Sequence, residues 1–204
     1  MELMAKYPDK HFDLAIVDPP YGIGVSKGTW GSGKKAKVTN YGKKNWDHTT
    51  PNQLYFDELF RVSKNQIIFG ANYFISKIPY DSPCWIVWDK DNSGGFADCE
   101  LAWSSFKTAV KKFKYTWNGM LQENMKQKEI RIHPTQKPVK LYEWILTNYA
   151  KPTDLILDTH VGSASSLIAC ENTGNIYVGC ELDKDYYEAS LKRLEDHCKQ
   201  QKLF

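Results

Sequence analysis

Paired cysteines are missing from this chain. Its five (Cys84, Cys99, Cys170, Cys180 and Cys198) are odd in number and none has the C-x-x-C spacing. That excludes a disulfide framework and a zinc knuckle, and it suits a reducing cytoplasm. No apolar run approaches the roughly 20 residues of a membrane span. Met1 to Lys6 lack the basic-then-apolar layout of a secretory signal. Internal repeats are absent, and arginine is scarce: of 27 basic residues only Arg61, Arg131 and Arg193 are arginine. A net charge of +3 excludes a histone-like polycation. The rest is ordinary globular usage. With 204 residues, 42% hydrophobic and 25% charged, the chain can bury a full core as one domain.

The positive charge is concentrated. Between Gly22 and Trp46 stand six lysines (Lys27, Lys34, Lys35, Lys37, Lys43, Lys44), no acid and five glycines. Such a 22–50 loop can track a phosphate backbone, or simply be solvated. A second basic stretch runs from Lys107 to Arg131.

Apolar runs bounded by turn residues alternate with helical patterns. Phe12 to Val17 reads as a buried strand ending at Asp18-Pro19-Pro20. Residues 51–62 read as a helix, with Thr50 as N-cap, Pro51 in its first turn, and Leu54, Tyr55, Leu59 and Val62 on one face. Strands are expected at 66–70 and 85–88, with a short helix through Phe74 between them. A hairpin is expected between 100–103 and 113–117. Pro138 opens a helix carrying Leu141, Tyr142, Ile145 and Tyr149 at helical spacing. Strands at 155–157 and 176–179 then alternate with helices at 164–172 and 183–199. This is an α/β chain: a mainly parallel twisted sheet with helices on both faces.

Four elements carry chemistry. Asp18-Pro19-Pro20-Tyr21 ends a strand, where open α/β sheets bind ligands. Two imino acids stiffen the turn, so the Asp18 carboxylate and the Pro19 carbonyl become fixed acceptors. They match the two N–H donors of an exocyclic amine on a nucleobase, and Tyr21 offers a face for stacking. Next, Asp158 to Ser165 is an acid followed by a small-residue turn into a helix, with Gly162 for close backbone approach and Ser163 and Ser165 as caps. Third, Glu181 ends the following strand, 23 residues after Asp158, where an acid can hold ribose hydroxyls. NAD fits poorly, because the turn lacks G-x-G-x-x-G. A ribose-containing cofactor without a diphosphate fits better, and S-adenosylmethionine is the common one. Fourth, in His133-Pro134-Thr135-Gln136-Lys137-Pro138, Thr135 and Lys137 can bind a methionine carboxylate. His133 has no second histidine at ligand spacing, so no metal site is expected.

In this order, DPPY, HPTQKP, D-x-x-x-G-S-x-S and G-x-E followed by DKDYYEASLKRL, the motifs closely resemble the beta-class amino-methyltransferases of DNA, which act on adenine N6 or cytosine N4. The resemblance covers nearly the whole chain. It implies a Rossmann-like S-adenosylmethionine-dependent methyltransferase fold with seven strands, one of them antiparallel. It also implies a single domain over 1–204, permuted so that the catalytic half comes first. Asp18, Pro19, Pro20 and Tyr21 would be catalytic. Asp18, Thr135, Lys137, Asp158, Thr159, His160, Gly162, Ser163, Ser165 and Glu181 would form the cofactor site. Residues 96–103 would help line the target-base pocket. Double-stranded DNA is the implied partner, contacted by the six lysines of the loop. No membrane partner is implied. A homodimer is compatible with the family, although no apolar stripe demands one.

Three departures stand out. The family's loop reads D-P-F-x-G-S-G-T, whereas Thr159-His160 replace Pro-Phe here and Ala164 replaces the second glycine, a methyl expected to crowd the cofactor. The chain is expected to start inside a helix holding Met1 to Tyr7, with the strand that precedes it in the family missing. Only residues 118–132 stand where the target-recognition region is expected, a vestigial insert. D-P-P-Y favours adenine, and S-P-P-Y is commoner for cytosine. The alternatives left open are cytosine-N4 transfer, a non-catalytic DNA-binding remnant, and an RNA or protein-amide methyltransferase.

Overall fold

The structure is a computed structural model and describes residues 1–27, 29–30, 39–42, 44–92, 97–118 and 120–201. Among these, seven strands form one sheet: β1 (Phe12–Val17), β2 (Ser63–Phe69), β3 (Trp85–Asp89), β4 (Cys99–Ser104), β5 (Lys111–Lys114), β6 (Leu155–Asp158) and β7 (Ile176–Gly179). Their spatial order is β7-β6-β1-β2-β4-β3-β5. Pairing is parallel from β7 to β2 and between β3 and β5, and β4 runs against both of its neighbours. The helices are α1 (Gln53–Val62), α2 (Val139–Tyr149), α3 (Ser165–Thr173) and α4 (Lys184–Gln201). This is the seven-stranded, mainly parallel sheet with one reversed strand that the sequence led us to expect.

Side chains of a strand alternate between its two faces, and here both faces are covered. Leu14 and Ile16 of β1 join Ile67 and Phe69 of β2 against Leu141 and Ile145 of α2 and Ala169 of α3. Ala15, Val17 and Ile68 point the other way, onto Tyr55, Phe56, Leu59 and Val62 of α1. Phe56 and Leu59 are fully buried, each worth about 1.5–3 kcal/mol of transfer free energy. The carboxyl ends of β1, β2, β6 and β7 therefore open on one edge of the sheet. There Asp18, Gly70, Thr159 and Glu181 follow the strands.

Several local expectations are corrected. The strands 99–104 and 111–114 do not form a hairpin, because β3 lies between them. Trp85–Trp103, Ile86–Ala102 and Val87–Leu101 pair across β3 and β4, while Lys111, Lys112 and Lys114 take the sheet edge, where lysine discourages further pairing. α1 is capped by Asn52, whose side chain accepts the Tyr55 N–H at 3.1 Å, while the Thr50 hydroxyl accepts from Lys77. Leu54 is 64% exposed, and Phe56 takes the inward position instead. Met1 to Tyr7 form a 3-10 turn over Met4–Lys6 rather than an α-helix. α3 starts after Ala164 with no side-chain cap: the Ser163 and Ser165 hydroxyls bond each other at 3.0 Å.

Candidate active site

The rigid turn after β1 delivers Asp18 into a buried chain of charge. Its Oδ1 accepts the Tyr21 hydroxyl at 2.7 Å, and its Oδ2 accepts the Lys137 ammonium at 2.5 Å. The Lys137 ammonium also lies 3.0 Å from Glu100 Oε2, and Glu100 Oε1 is paired with Lys90. Two carboxylates and two ammonium groups balance one another here, with Lys137, 3% exposed in its side chain, at the centre and the other three partly exposed. Burial pushes the Asp18 carboxyl up, against the pull of Lys137. Burial acts on Glu100 too, but the Lys137 and Lys90 charges outweigh it and bring its carboxyl down to about 2. Lys137 is driven the other way: desolvation is exceeded by Asp18 and Glu100, and its pKa rises.

Tyr21 lies flat beside this network. Its ring stacks on Tyr73, with centroids 4.9 Å apart and planes 14° apart. The space is opened by Gly70, which has φ +65° and where a Cβ would lie 2.0 Å from a Tyr21 ring carbon. A side chain at 70 and this placement of Tyr21 exclude each other.

A cleft of about 200 Å³ is lined by Asp18, Pro20, Thr135, Thr159, His160, Gly162 and Glu181. Glu181 Oε2 accepts the Gly162 N–H at 2.8 Å, and its Oε1 accepts the Asp183 N–H at 2.9 Å. Each oxygen keeps a second lone pair for another donor. Beside it Leu182 is 96% exposed, an apolar face lining the same cleft. Asp158 lies behind the loop, accepting from the His160 N–H and the Ser166 hydroxyl; burial pushes its carboxyl up to about 7. The Thr159 hydroxyl bonds Tyr55 at 2.8 Å and His160 Nδ1 at 3.0 Å. Burial lowers His160 and His133 to about 4.

Of the residues singled out by sequence, Asp18, Pro20, Thr135, Lys137, Thr159, His160, Gly162, Ser163 and Glu181 line this cleft. Asp158 and Ser165 are buried beside it. Ala164 has φ +61°, which costs an alanine roughly 1–2 kcal/mol. Its methyl packs with Val161 and Leu167 rather than lining the cleft. Among the loop lysines, Lys44 is held by Asp183 and Asp185 at the start of α4. Lys34, Lys35, Lys37, Lys43 and the side chain of Lys27 lie outside the described residues, as does Phe96. Sequence reading did not single out Lys90 or the pairing of Glu100 with Lys137. An acid inside an otherwise apolar strand was the available signal. It also missed Trp46 and Tyr186, which wall the cleft.

Comparison with known proteins gives one family and one fold. The family described as DNA methylase, of the N6/N4 class, matches residues 87–192, just over half of the chain. The type II methyltransferase M2.DpnII of Streptococcus pneumoniae is 22% identical over 95% of this chain and 86% of its own length. The putative methylase YubD of Escherichia coli K12 is 24% identical over 95% and 86%. Among solved structures, the M1.HpyAVI–SAM complex superposes with a TM-score of 0.56 at 23% identity, covering 94% of this chain and 91% of its own. The cytosine-N4-specific PvuII DNA methyltransferase gives 0.61 at 14% identity, covering 96% and 87%.

Proposed function

The chain belongs to the N6/N4 DNA methylase family, and on that footing we propose that it transfers a methyl group from S-adenosylmethionine to the N6 amine of adenine in double-stranded DNA. The observation that carries this reading is the position of Asp18: a carboxylate on a turn stiffened by two prolines, lining the same cleft as Glu181. The cleft suits a nucleoside cofactor. Glu181 has lone pairs to spare for ribose hydroxyls, Leu182 offers an apolar face for a base, and Gly162 admits close backbone approach. Bound there, S-adenosylmethionine would supply an electrophilic methyl group on a sulfonium.

The chain's own residues do the positioning. Asp18 and the Pro19 carbonyl accept the two amine hydrogens of an extruded base and hold its nitrogen toward the cleft. Lys137 keeps Asp18 in place and opposes the burial that raises its carboxyl, and Glu100 with Lys90 keeps Lys137 in place. The Tyr21 hydroxyl holds Asp18 Oδ1 until the base amine takes its place, and the Tyr21 ring stacks on the base. As the amine takes up positive charge, the Asp18 carboxylate stabilises it. No strong base is needed, because the amine is itself the nucleophile.

A non-catalytic remnant is the competing reading, motivated by Thr159-His160 in place of Pro-Phe. Calorimetric titration with S-adenosylmethionine separates the two. Saturable binding, lost in Glu181→Ala, supports the enzyme. No binding at millimolar cofactor, with duplex DNA still bound, supports the remnant.

A further inference from the structure

Thr159-His160, the departure from Pro-Phe in the loop after β6, is built into a three-membered hydrogen-bond chain. The Tyr55 hydroxyl of α1 lies 2.8 Å from Thr159 Oγ1, which lies 3.0 Å from His160 Nδ1. Tyr55 Oη is itself 3.5 Å from that nitrogen. The side chains of proline and phenylalanine could make neither bond. The Tyr55 ring also meets the imidazole edge to face, with centroids 5.4 Å apart and planes at 68°.

The count of hydrogens sets the tautomer. The chain holds two hydroxyl hydrogens, and Tyr55 and Thr159 have no other side-chain acceptor for them among the described residues. Tyr55 donating to Thr159, and Thr159 donating to a bare Nδ1, places both. A hydrogen on Nδ1 would leave one hydroxyl hydrogen without an acceptor, which is costly in a buried site. The ring, kept neutral by burial, therefore carries its hydrogen on Nε2. The unpartnered side-chain atoms closed to solvent belong to Ser26, Trp46 and Arg131, so His160 Nε2, which has no partner among the described residues, is open. Its ring lines the cleft with Asp18 and Glu181. Accepting a hydrogen bond at Nδ1 polarises the imidazole and strengthens Nε2–H as a donor.

The place of this donor indicates its ligand. β6 lies between β1 and β7, so His160 leaves the sheet between Asp18 and Glu181. Asp18 and His160 each stand three residues beyond the paired Ala15 and Leu157. With Glu181 for the ribose and Asp18 for the base amine, the cofactor's carboxylate still needs a donor. Lys137, the one permanent cation lining the cleft, is held between Asp18 and Glu100.

We propose that Tyr55 and Thr159 are positioning residues that hold the His160 imidazole as an Nε2–H donor to the carboxylate of S-adenosylmethionine. This rests on the DNA methylase reading above.

The test is calorimetric titration of the full chain with S-adenosylmethionine and with its decarboxylated analogue, which keeps the sulfonium, ribose and adenine. His160→Phe is expected to bind S-adenosylmethionine about 10- to 100-fold more weakly, the worth of a hydrogen bond to a charged group, and to bind the analogue as wild type does. His160→Gln, which keeps a donor, should recover part of the loss. Tyr55→Phe should give a smaller loss, again only for the ligand that bears a carboxylate. A loss equal for both ligands overturns the proposal, because it marks a merely structural role. Unchanged affinity of His160→Phe for S-adenosylmethionine overturns it too. Should the variants fail to fold, the wild type decides: a long-range proton–nitrogen NMR spectrum of histidine-labelled protein reads the tautomer, and Nε2–H at His160 supports the proposal while Nδ1–H overturns it. Wild-type protein that binds neither ligand would instead sink the cofactor reading on which the proposal stands.

Discussion

Lys137 and Asp18, 119 positions apart in the chain, meet in an ammonium–carboxylate contact of 2.5 Å, with Glu100 3.0 Å away on the other side of the ammonium. The lysine that sequence reading assigned to a cofactor carboxylate is thus already committed to the acid at the end of β1. Any cofactor carboxylate at Lys137 would have to share it with Asp18 and Glu100.

Glu100→Gln tests that commitment. The change leaves the shape but removes one of the charges that hold Asp18 up. The expected result is a kcat lower by about 10- to 100-fold through misplacement of Asp18, with KM for DNA little altered. The acid limb of the pH–rate profile should move to lower pH. Steady-state kinetics between pH 5 and 9 measure both, and an unaltered kcat contradicts the role.

Gly70→Ala should be disruptive out of proportion to one methyl group. The left-handed backbone costs an alanine roughly 1–2 kcal/mol. The new Cβ would also collide with the Tyr21 ring. Denaturant titration of Gly70→Ala, Tyr21→Ala and the double variant separates the two effects. In the Tyr21→Ala background the penalty should shrink to the backbone part. Equal penalties in both backgrounds would show that Tyr21 does not occupy that space.

Stability should respond to pH through three buried groups of opposite sign. His133 and His160 fall from 6.5 unfolded to about 4 folded. Their contribution is complete above 6.5 and is lost as pH falls toward 4, at roughly 1.4 kcal/mol per unit for each. Asp158 rises from 3.8 to about 7, so its contribution is complete below 3.8 and is lost as pH rises through 7. Against wild type, His160→Phe should make the fall in melting temperature between pH 6.5 and 4 shallower, and Asp158→Asn should make it steeper. The same sign for both variants would refute these assignments.

The fold was legible where local chemistry and packing agree. Apart from Asp13, which pairs with Lys64, Phe12 to Val17 is apolar because β1 is buried on both faces, and Asp18-Pro19-Pro20 can only end it. Leu141, Tyr142 and Ile145 marked α2 because one face of that helix meets the sheet. The failures lie where partners are remote in sequence. Nothing local indicates that β3 comes between β4 and β5. Glu100 meets Lys137 only because the reversed strand carries it to the edge where β1 ends. Asn52 displaced Thr50 as a cap once Lys77 had taken the threonine hydroxyl. Ser163 and Ser165 looked like caps, but Arg193 of α4 binds the Ser163 carbonyl and the Ser165 hydroxyl, a contact made across 30 and 28 residues.

The most direct measurement is nucleoside mass spectrometry of duplex DNA incubated with the protein and methyl-labelled S-adenosylmethionine, run beside Asp18→Ala. The account predicts labelled N6-methyladenine with wild type and none with Asp18→Ala, which should keep its wild-type fold by circular dichroism. Label found only in N4-methylcytosine, or N6-methyladenine still formed without Asp18, would contradict it.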